Sequence, residues 1–362
     1  MENIDVCFIS EAVGGISVYT DYLMKALANN FSITPFGIWL TSSPDEIVPK
    51  IENFPSFRKF ILEIPSLDQS KDKLINFIEN LPCQIVHIQW ERSFFPSNEI
   101  FLDFLIHINK STSKKIIVTF HSIYLDPIFI KMVRKCAEFI DTIIVHQENA
   151  KYFLVSHGLD PKKIITIPHG TPSINSAPKK NRFFKTNLFK ILMVGILKKN
   201  KGFDKALSSL KSDKTLEIIV SGWLRDQNES EFVQELCSIQ DKSSATISIL
   251  PQYLKLEDLI ALITEADCIV LPYEQDYYSS SGILHLVASL HKPMLVSASP
   301  KFKELVEIAP FSMVDDNNYL THIKELQGVQ FKMEFTKKII KFAEKTSWNV
   351  TARKTYNLYQ QN

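Results

Sequence analysis

Three short stretches of this chain set glycines beside cationic or hydroxyl side chains where an apolar run gives way to helical text, and all three suit phosphate chemistry. Gly14 and Gly15 stand between the apolar run Asp5–Ile9 and an amphipathic stretch from Ser17 to Asn29, so backbone amides there can approach a phosphate at the positive end of a helix. A structural tight turn explains the same glycines equally well, and the Gly-x-Gly-x-x-Gly fingerprint of dinucleotide binding is absent. The second stretch, Val194–Gly202, leaves a strand through Gly195 and carries Lys198, Lys199 and Lys201. Lysines at a strand end are placed to take up the charge of a departing pyrophosphate; a solvated basic loop is the plainer reading. In the third, Tyr278–Leu284, the residues Ser279, Ser280 and Ser281 supply hydroxyls, and the amides of Ser281, Gly282 and Ile283 open a helix. That anion-binding arrangement goes beyond what a serine cap requires.

His121 follows the apolar run Lys115–Thr119 and is able to hydrogen-bond a sugar hydroxyl or steady developing charge, although a lone histidine more often has a structural role. His87, His169 and His285 are weaker candidates. His87 and Glu91 bracket a strand end, where a spacing of four does not give one face, and no cysteine pair has zinc-ligand spacing, so no metal is expected. The Gly-x-Ser-x-Gly elbow of a serine hydrolase is missing as well.

Short apolar runs alternate with longer amphipathic stretches through both halves, the rhythm of parallel sheets covered by helices. Strands are expected at Asp5–Ile9, Ile85–Ile88, Lys115–Thr119 and Thr142–Val145, then at Lys190–Val194, Leu216–Val220, Thr246–Ile249, Cys268–Leu271 and Pro293–Val296. The helix at Ser17–Asn29 puts Tyr19, Tyr22, Leu23, Ala26 and Leu27 on one face. Ser173–Lys185, rich in Ser, Pro, Asn and Lys, reads as a linker. It separates an α/β domain over 1–178 from another over 186–334, and 335–362 reads as a helical segment, broken near Thr346-Ser347-Trp348, that packs back on the first domain. Two doubly wound domains in tandem place a ligand cleft between them.

A chain of 362 residues, 45% hydrophobic and 22% charged, has the size and composition of a two-domain soluble globular protein. Its 41 basic and 40 acidic residues nearly cancel and form no basic stripe, so nucleic acid is not an expected partner. The five cysteines, Cys7, Cys83, Cys136, Cys237 and Cys268, are odd in number and far apart; free thiols in a reducing cytoplasm are the expectation. The start lacks the pattern of a signal peptide. No run of about 18 apolar residues is present to span a membrane, while peripheral association with its inner face through an exposed surface stays open.

Taken in order, the motifs resemble glycosyltransferase family 4 over almost the whole chain. They are Gly14-Gly-Ile-Ser-Val-Tyr19, Ile85-Val-His-Ile-Gln-Trp-Glu91, Val118-Thr-Phe-His-Ser122 and Ile167-Pro-His-Gly-Thr-Pro172, then Gly195-Ile-Leu-Lys-Lys-Asn-Lys-Gly-Phe-Asp204, Ala266-Asp-Cys-Ile-Val-Leu-Pro-Tyr273, Ser280-Ser-Gly-Ile-Leu284 and Lys292-Pro-Met-Leu-Val-Ser297. The resemblance implies the GT-B fold, two Rossmann-like domains facing each other across a cleft, and transfer with retention from a UDP- or GDP-sugar to a carbohydrate or lipid-linked acceptor, without an obligatory cofactor or metal. Lys201 matches the lysine that holds the diphosphate, Gly15 the glycine loop that approaches it, and His121 the histidine beside the donor sugar. Ile196 stands where an arginine is usual, with Lys198 able to supply its charge. The family's paired glutamates fall on Tyr278 and Leu286, which leaves Glu274 and Asp276 as the nearest carboxylates for a ribose. Two other readings compete: a sugar-nucleotide epimerase on the same fold, and a silent sugar-binding subunit, against which the retained Lys198 and Lys201 argue.

Overall fold

Uninterrupted apolar runs build the centre of each sheet. In the computed structural model, which describes residues 3–12, 14–41, 58–63, 67–92, 95, 97–174, 183–224, 228–314 and 318–361, strand β1 (Ile4–Glu11) sends Val6 and Phe8 to one core and Cys7 and Ile9 to another. Covered on both faces, such a strand tolerates no polar alternation. The chain divides into two units, one made of Met1–Gly170, Tyr277–Gly282 and Thr346–Asn362, the other of Thr171–Asp276 and Ile283–Lys345. Of the expected linker, 175–182 lies outside the described residues.

The first unit continues through α1 (Gly15–Asn30), β2 (Ile33–Thr41), β3 (Arg58–Glu63), α2 (Leu67–Glu79), β4 (Ile85–Trp90), α3 (Asn98–Ser111), β5 (Lys115–Phe120), β6 (Ser122–Ile123), α4 (Pro127–Cys136), β7 (Thr142–Val145), α5 (Glu148–Ser156) and β8 (Ile164–Thr166). Its seven-stranded sheet has the order β3-β2-β1-β4-β5-β7-β8, every pair parallel. The order reverses between β1 and β4, the point where doubly wound sheets bind ligands beyond the strand ends. Gly14 follows β1 there, and Glu91 follows β4.

The second unit holds β9 (Phe189–Val194), α6 (Phe203–Leu210), β10 (Leu216–Gly222), α7 (Asn228–Asp241), β11 (Thr246–Pro251), α8 (Leu256–Glu265) and β12 (Cys268–Leu271). After β13 (Tyr278–Ser279), a strand of the first unit, come α9 (Gly282–Ser289), β14 (Met294–Ser297), α10 (Lys303–Ile308), β15 (Met313–Val314), α11 (Tyr319–Leu326) and α12 (Val329–Lys345). The sheet order is β11-β10-β9-β12-β14-β15, again parallel throughout, with its reversal between β9 and β12. Gly195 and Pro272 lie just past those two strands.

Two pieces of late sequence complete the first unit. Strand β13 pairs antiparallel with β6, Tyr278 opposite Ile123 and Ser279 opposite Ser122. Helix α13 (Trp348–Gln361) buries Trp348, Ala352, Tyr356, Leu358 and Tyr359 against Tyr19, Leu23 and Leu27 of α1 and Phe8 of β1. Trp348 stacks on Tyr22, ring centroids 5.7 Å apart, and meets Tyr19 edge-on at 5.0 Å. It also explains Gly170, since a Cβ there would lie 2.1 Å from Trp348 Cδ2. Gly170→Ala is therefore expected to destabilise the first unit by about 2 kcal/mol, the usual cost of overpacking a core. Thermal unfolding tests this, and an unchanged midpoint would show that the indole shifts freely.

Among the described residues no helix is long and apolar enough to cross a membrane. Cys7, Cys83, Cys136 and Cys268 are buried free thiols, and Cys237 is partly buried and also free.

Candidate active site

In the second unit the loop between β9 and α6 is built around a buried lysine. Lys198 leads into a short 3-10 turn, Lys199–Lys201, which Gly202 ends in the left-handed region at φ 63°. Only glycine fits there: a Cβ would lie 2.1 Å from the Pro272 carbonyl oxygen. This close approach brings the loop against the end of β12, where Glu274 N–H donates to the Asn200 carbonyl at 3.0 Å. Lys201 is only 8% exposed, and its Nζ sits 3.6 Å from the centroid of the Tyr273 ring. The Tyr273 hydroxyl donates to the Val194 carbonyl at 2.8 Å, which fixes the ring beneath the ammonium. Burying a cation is costly without compensation, and the aromatic face supplies part of it.

The three lysines divide by role. Lys199 is drawn to Asp204 at 2.8 Å and Glu235 at 2.6 Å, and the hydrogen bonds its ammonium donates to those carboxylates hold its pKa above the usual lysine value. Lys198 is half-buried. Glu274 forms an ion pair with Lys205 at 2.5 Å, whereas Asp276 is exposed. Leu286 is packed in the core of the second unit, with no polar atom on its side chain to offer a ribose. Ile283 is half-buried against the same core. His285 is fully buried, its Nδ1 2.7 Å from Thr171 Oγ1 and its ring stacked on Phe342, so its place in the fold accounts for it.

The remaining expected residues lie in the first unit. Gly14 caps α1 without a side-chain hydrogen bond, and no acidic residue occupies the first turn; the nearest carboxylate is that of Glu11, whose Oε1 lies 3.3 Å from where a Cβ on Gly14 would stand. A Cβ on Gly15 or on Gly282 would meet nothing within 4 Å, which leaves both helix starts open to approach. Ser281 is buried and Ser280 half-buried. The segment before them is tied down: Gln147 Nε2 donates to the Ser279 carbonyl at 3.1 Å, and Tyr277 stacks on Tyr124 at 4.8 Å. Glu91 gathers the neighbouring loops, accepting from Ser122 Oγ and Tyr124 OH, both at 2.6 Å, and from Arg92 N–H at 2.8 Å. Trp90 at the end of β4, Phe95 shortly after it and Phe129 in α4 are core residues.

His121 is 9% exposed and belongs to an aromatic and histidine cluster that sequence reading did not anticipate. Its Nε2 lies 2.9 Å from Gln89 Oε1 and its Nδ1 3.2 Å from His146 Nε2. His146 Nδ1 is 3.0 Å from the Ile167 carbonyl. Tyr19 packs centrally, its ring 4.8 Å from His121, 5.3 Å from His146 and 5.0 Å from His169. His87 lies deeper, between Tyr359 OH at 2.6 Å and Thr119 Oγ1 at 2.7 Å. Burial disfavours the charged imidazoles and pushes His146 down to about 4 and His87 to about 3, with His121 also held well below its ordinary value. One signal for His146 was available: it follows β7 directly, as His121 follows β5, and the two strands are paired.

Residues 13–173 match the family model of Glycosyltransferase Family 4. No curated protein matches the chain in sequence. Among solved structures, Anabaena HepE in complex with UDP is similar at a TM-score of 0.78 and 12% identity, over 99% of this chain and 100% of that one. Sucrose-phosphate synthase from Thermosynechococcus elongatus has a TM-score of 0.76 at 15% identity, over 99% of each chain. The E. coli trehalose-6-phosphate structure bound with UDP-2-fluoro glucose has 0.73 at 11%, over 99% of each. At such identities the likeness is one of fold. The first unit thus carries a family 4 match over residues 13–173, and the whole chain has the GT-B fold of these glycosyltransferases.

Proposed function

We propose that the protein moves a sugar, with retention of anomeric configuration, from a UDP- or GDP-sugar to a hydroxyl of a carbohydrate or lipid-linked acceptor. The observation that carries this reading is Lys201, a cation buried over Tyr273 at the mouth of the β9 strand. A buried ammonium held by an aromatic face is preorganised to meet an anion and pays little reorganisation when the anion's charge grows. Lys198 adds charge to the same diphosphate. Gly14, Gly15, Gly195 and the Ser280-Ser281-Gly282-Ile283 helix start offer backbone and hydroxyl donors to the donor substrate, and His121 hydrogen-bonds its sugar. UDP in the HepE complex and UDP-2-fluoro glucose in the E. coli structure support a nucleotide-sugar donor.

In the reaction the bond from the anomeric carbon to the diphosphate oxygen breaks and its electron pair leaves with the nucleoside diphosphate. The acceptor oxygen bonds to the same face of that carbon, and its proton passes to the departing phosphate oxygen. No protein nucleophile is required, because positioning and charge stabilisation lower the barrier.

Titration calorimetry with UDP, GDP and the 2′-deoxy and 3′-deoxy forms of whichever binds tests the donor reading. One ribonucleoside diphosphate is expected to bind, and its deoxy analogues to bind within about threefold of it, because Leu286 offers no carboxylate to the ribose. A charged hydrogen bond to a ribose hydroxyl is worth about one to two decades of affinity. A loss of that size would show the ribose to be read, with Asp276→Ala and Glu274→Ala identifying the reader. Failure of every nucleoside diphosphate to bind would sink the proposal itself.

A further inference from the structure

The hydrogen-bond partners around His121 determine which of its nitrogens carries the proton. A backbone carbonyl only accepts, so His146 Nδ1, 3.0 Å from the Ile167 carbonyl, must bear a hydrogen. His146 is fully enclosed and neutral at ordinary pH; its Nε2 is then a lone pair, and the group facing it must donate. That group is His121 Nδ1, 3.2 Å away. With the proton on Nδ1, a neutral His121 has a lone pair at Nε2, yet the atom drawn opposite is the amide oxygen of Gln89, which only accepts. The conflict has a simple resolution. Gln89 Nε2 is buried with no partner among the described residues, and rotating the amide by half a turn places this orphaned donor against the His121 lone pair. One rotation removes both the acceptor clash and the unsatisfied N–H.

From this we infer that His146 is a positioning residue that locks His121 in its Nδ1–H form, with the Nε2 lone pair held by the amide of Gln89. The inference deepens the reading of His121 as a sugar-contacting residue and rests on that reading for its functional consequence. A hydroxyl that reaches His121 Nε2 meets an acceptor, so it must donate, taking over the role Gln89 plays. Thr119 and Tyr359 give no comparable constraint on His87, since both of its partners are hydroxyls that can donate or accept. The carbonyl of Ile167 is what gives the chain of bonds its direction.

The test is a long-range proton–nitrogen correlation spectrum of the full chain carrying 15N-labelled histidine, with His121→Gln and His146→Gln used for assignment. His121 and His146 are both expected as neutral Nδ1–H tautomers from pH 6 to pH 8. His146→Gln retains an acceptor oxygen where Nε2 stood and is expected to preserve the His121 tautomer; His146→Leu removes it and is expected to release His121 into a mixture. Donor turnover is expected to fall about ten- to a hundredfold in His146→Leu, the cost of misplacing a contact group, and to recover at least partly in His146→Gln. An Nε2–H tautomer or an imidazolium at His121 in the unaltered protein overturns the inference, whatever the variants do. If the tautomers are as expected but His121→Ala leaves donor turnover unchanged, the sugar-contact reading fails while the proton assignment stands.

Discussion

Replacing both Lys198 and Lys201 by alanine is expected to lower sugar transfer about a hundredfold, since removing a preorganised group that meets developing charge costs two to three decades in other enzymes. Lys201→Ala alone should account for at least about a tenfold loss. Its ammonium is the buried one, and the charge on the leaving diphosphate grows as the glycosidic bond breaks. The fold is affected less. The contact of Nζ with the Tyr273 ring contributes about 2 kcal/mol, and Lys201→Met keeps the aliphatic stem against that ring while removing the charge. Steady-state kinetics on Lys201→Met, compared with calorimetric binding of the free nucleoside diphosphate, therefore separate chemistry from packing. Full turnover in the double alanine variant would mean that the diphosphate is held somewhere else.

The first unit is expected to lose stability steeply on mild acidification. His87 and His146 are neutral in the fold, pushed from about 6.5 in an unfolded chain to about 3 and about 4 by burial. The unfolded chain thus takes up protons that the folded one refuses. Both groups have depressed folded-state values, so their contribution is fully present above about pH 6.5, falls as the pH drops below it, and levels off only once the folded imidazoles protonate near pH 4 and below. Each proton contributes a slope of about 1.4 kcal/mol per pH unit, and two give about 3 kcal/mol per unit. His121 acts in the same direction. Three of the four tryptophans, Trp39, Trp90 and Trp348, belong to this unit, so urea unfolding in a Trp223→Phe background reports on it by fluorescence. Between pH 6.5 and 5, before most carboxylates titrate, the midpoint should fall continuously. A flat profile over that window would show that the histidines charge without unfolding the unit.

The strands legible in sequence are those whose burial on two faces demands continuous apolar text. Thr142–Val145 and Cys268–Leu271 have the same limits in the structure as in the reading, and the other seven differ by a few residues at their ends. Those missed lack that signal. β2 carries Pro35 and Gly37 in its interior, β3 mixes Arg58, Lys59 and Glu63 with its apolar residues, and β8 is three residues long. β6 and β13 are two residues each and pair across a long stretch of chain, which no local pattern can reveal.

The site divides the same way. Glycines at strand ends are visible because they stand out from their surroundings, and the lysine loop is visible because charge clusters. What sequence spacing does not show is which lysine is enclosed: Lys199 is tied to carboxylates and Lys201 is buried over a ring that lies dozens of residues further on. Gln89, His146 and Tyr277 escape notice for a related reason. Each gains its meaning from a partner on another strand or loop, and taken alone each is an ordinary polar or aromatic residue.

The division of the first unit into three pieces of chain constrains how this protein can be recombined. A chimera made by joining residues 1–170 of this chain to the remainder of a relative would inherit a foreign α13, and its indole or substitute would have to fit the space Gly170 leaves for Trp348. It would also inherit a foreign segment in place of Tyr277–Gly282, opposite Ser122 and Ile123. One crossover therefore never transplants the first unit. A graft that keeps its parentage intact needs Met1–Gly170, Tyr277–Gly282 and Thr346–Asn362 from the same ancestor, so gene segments far apart must be inherited together.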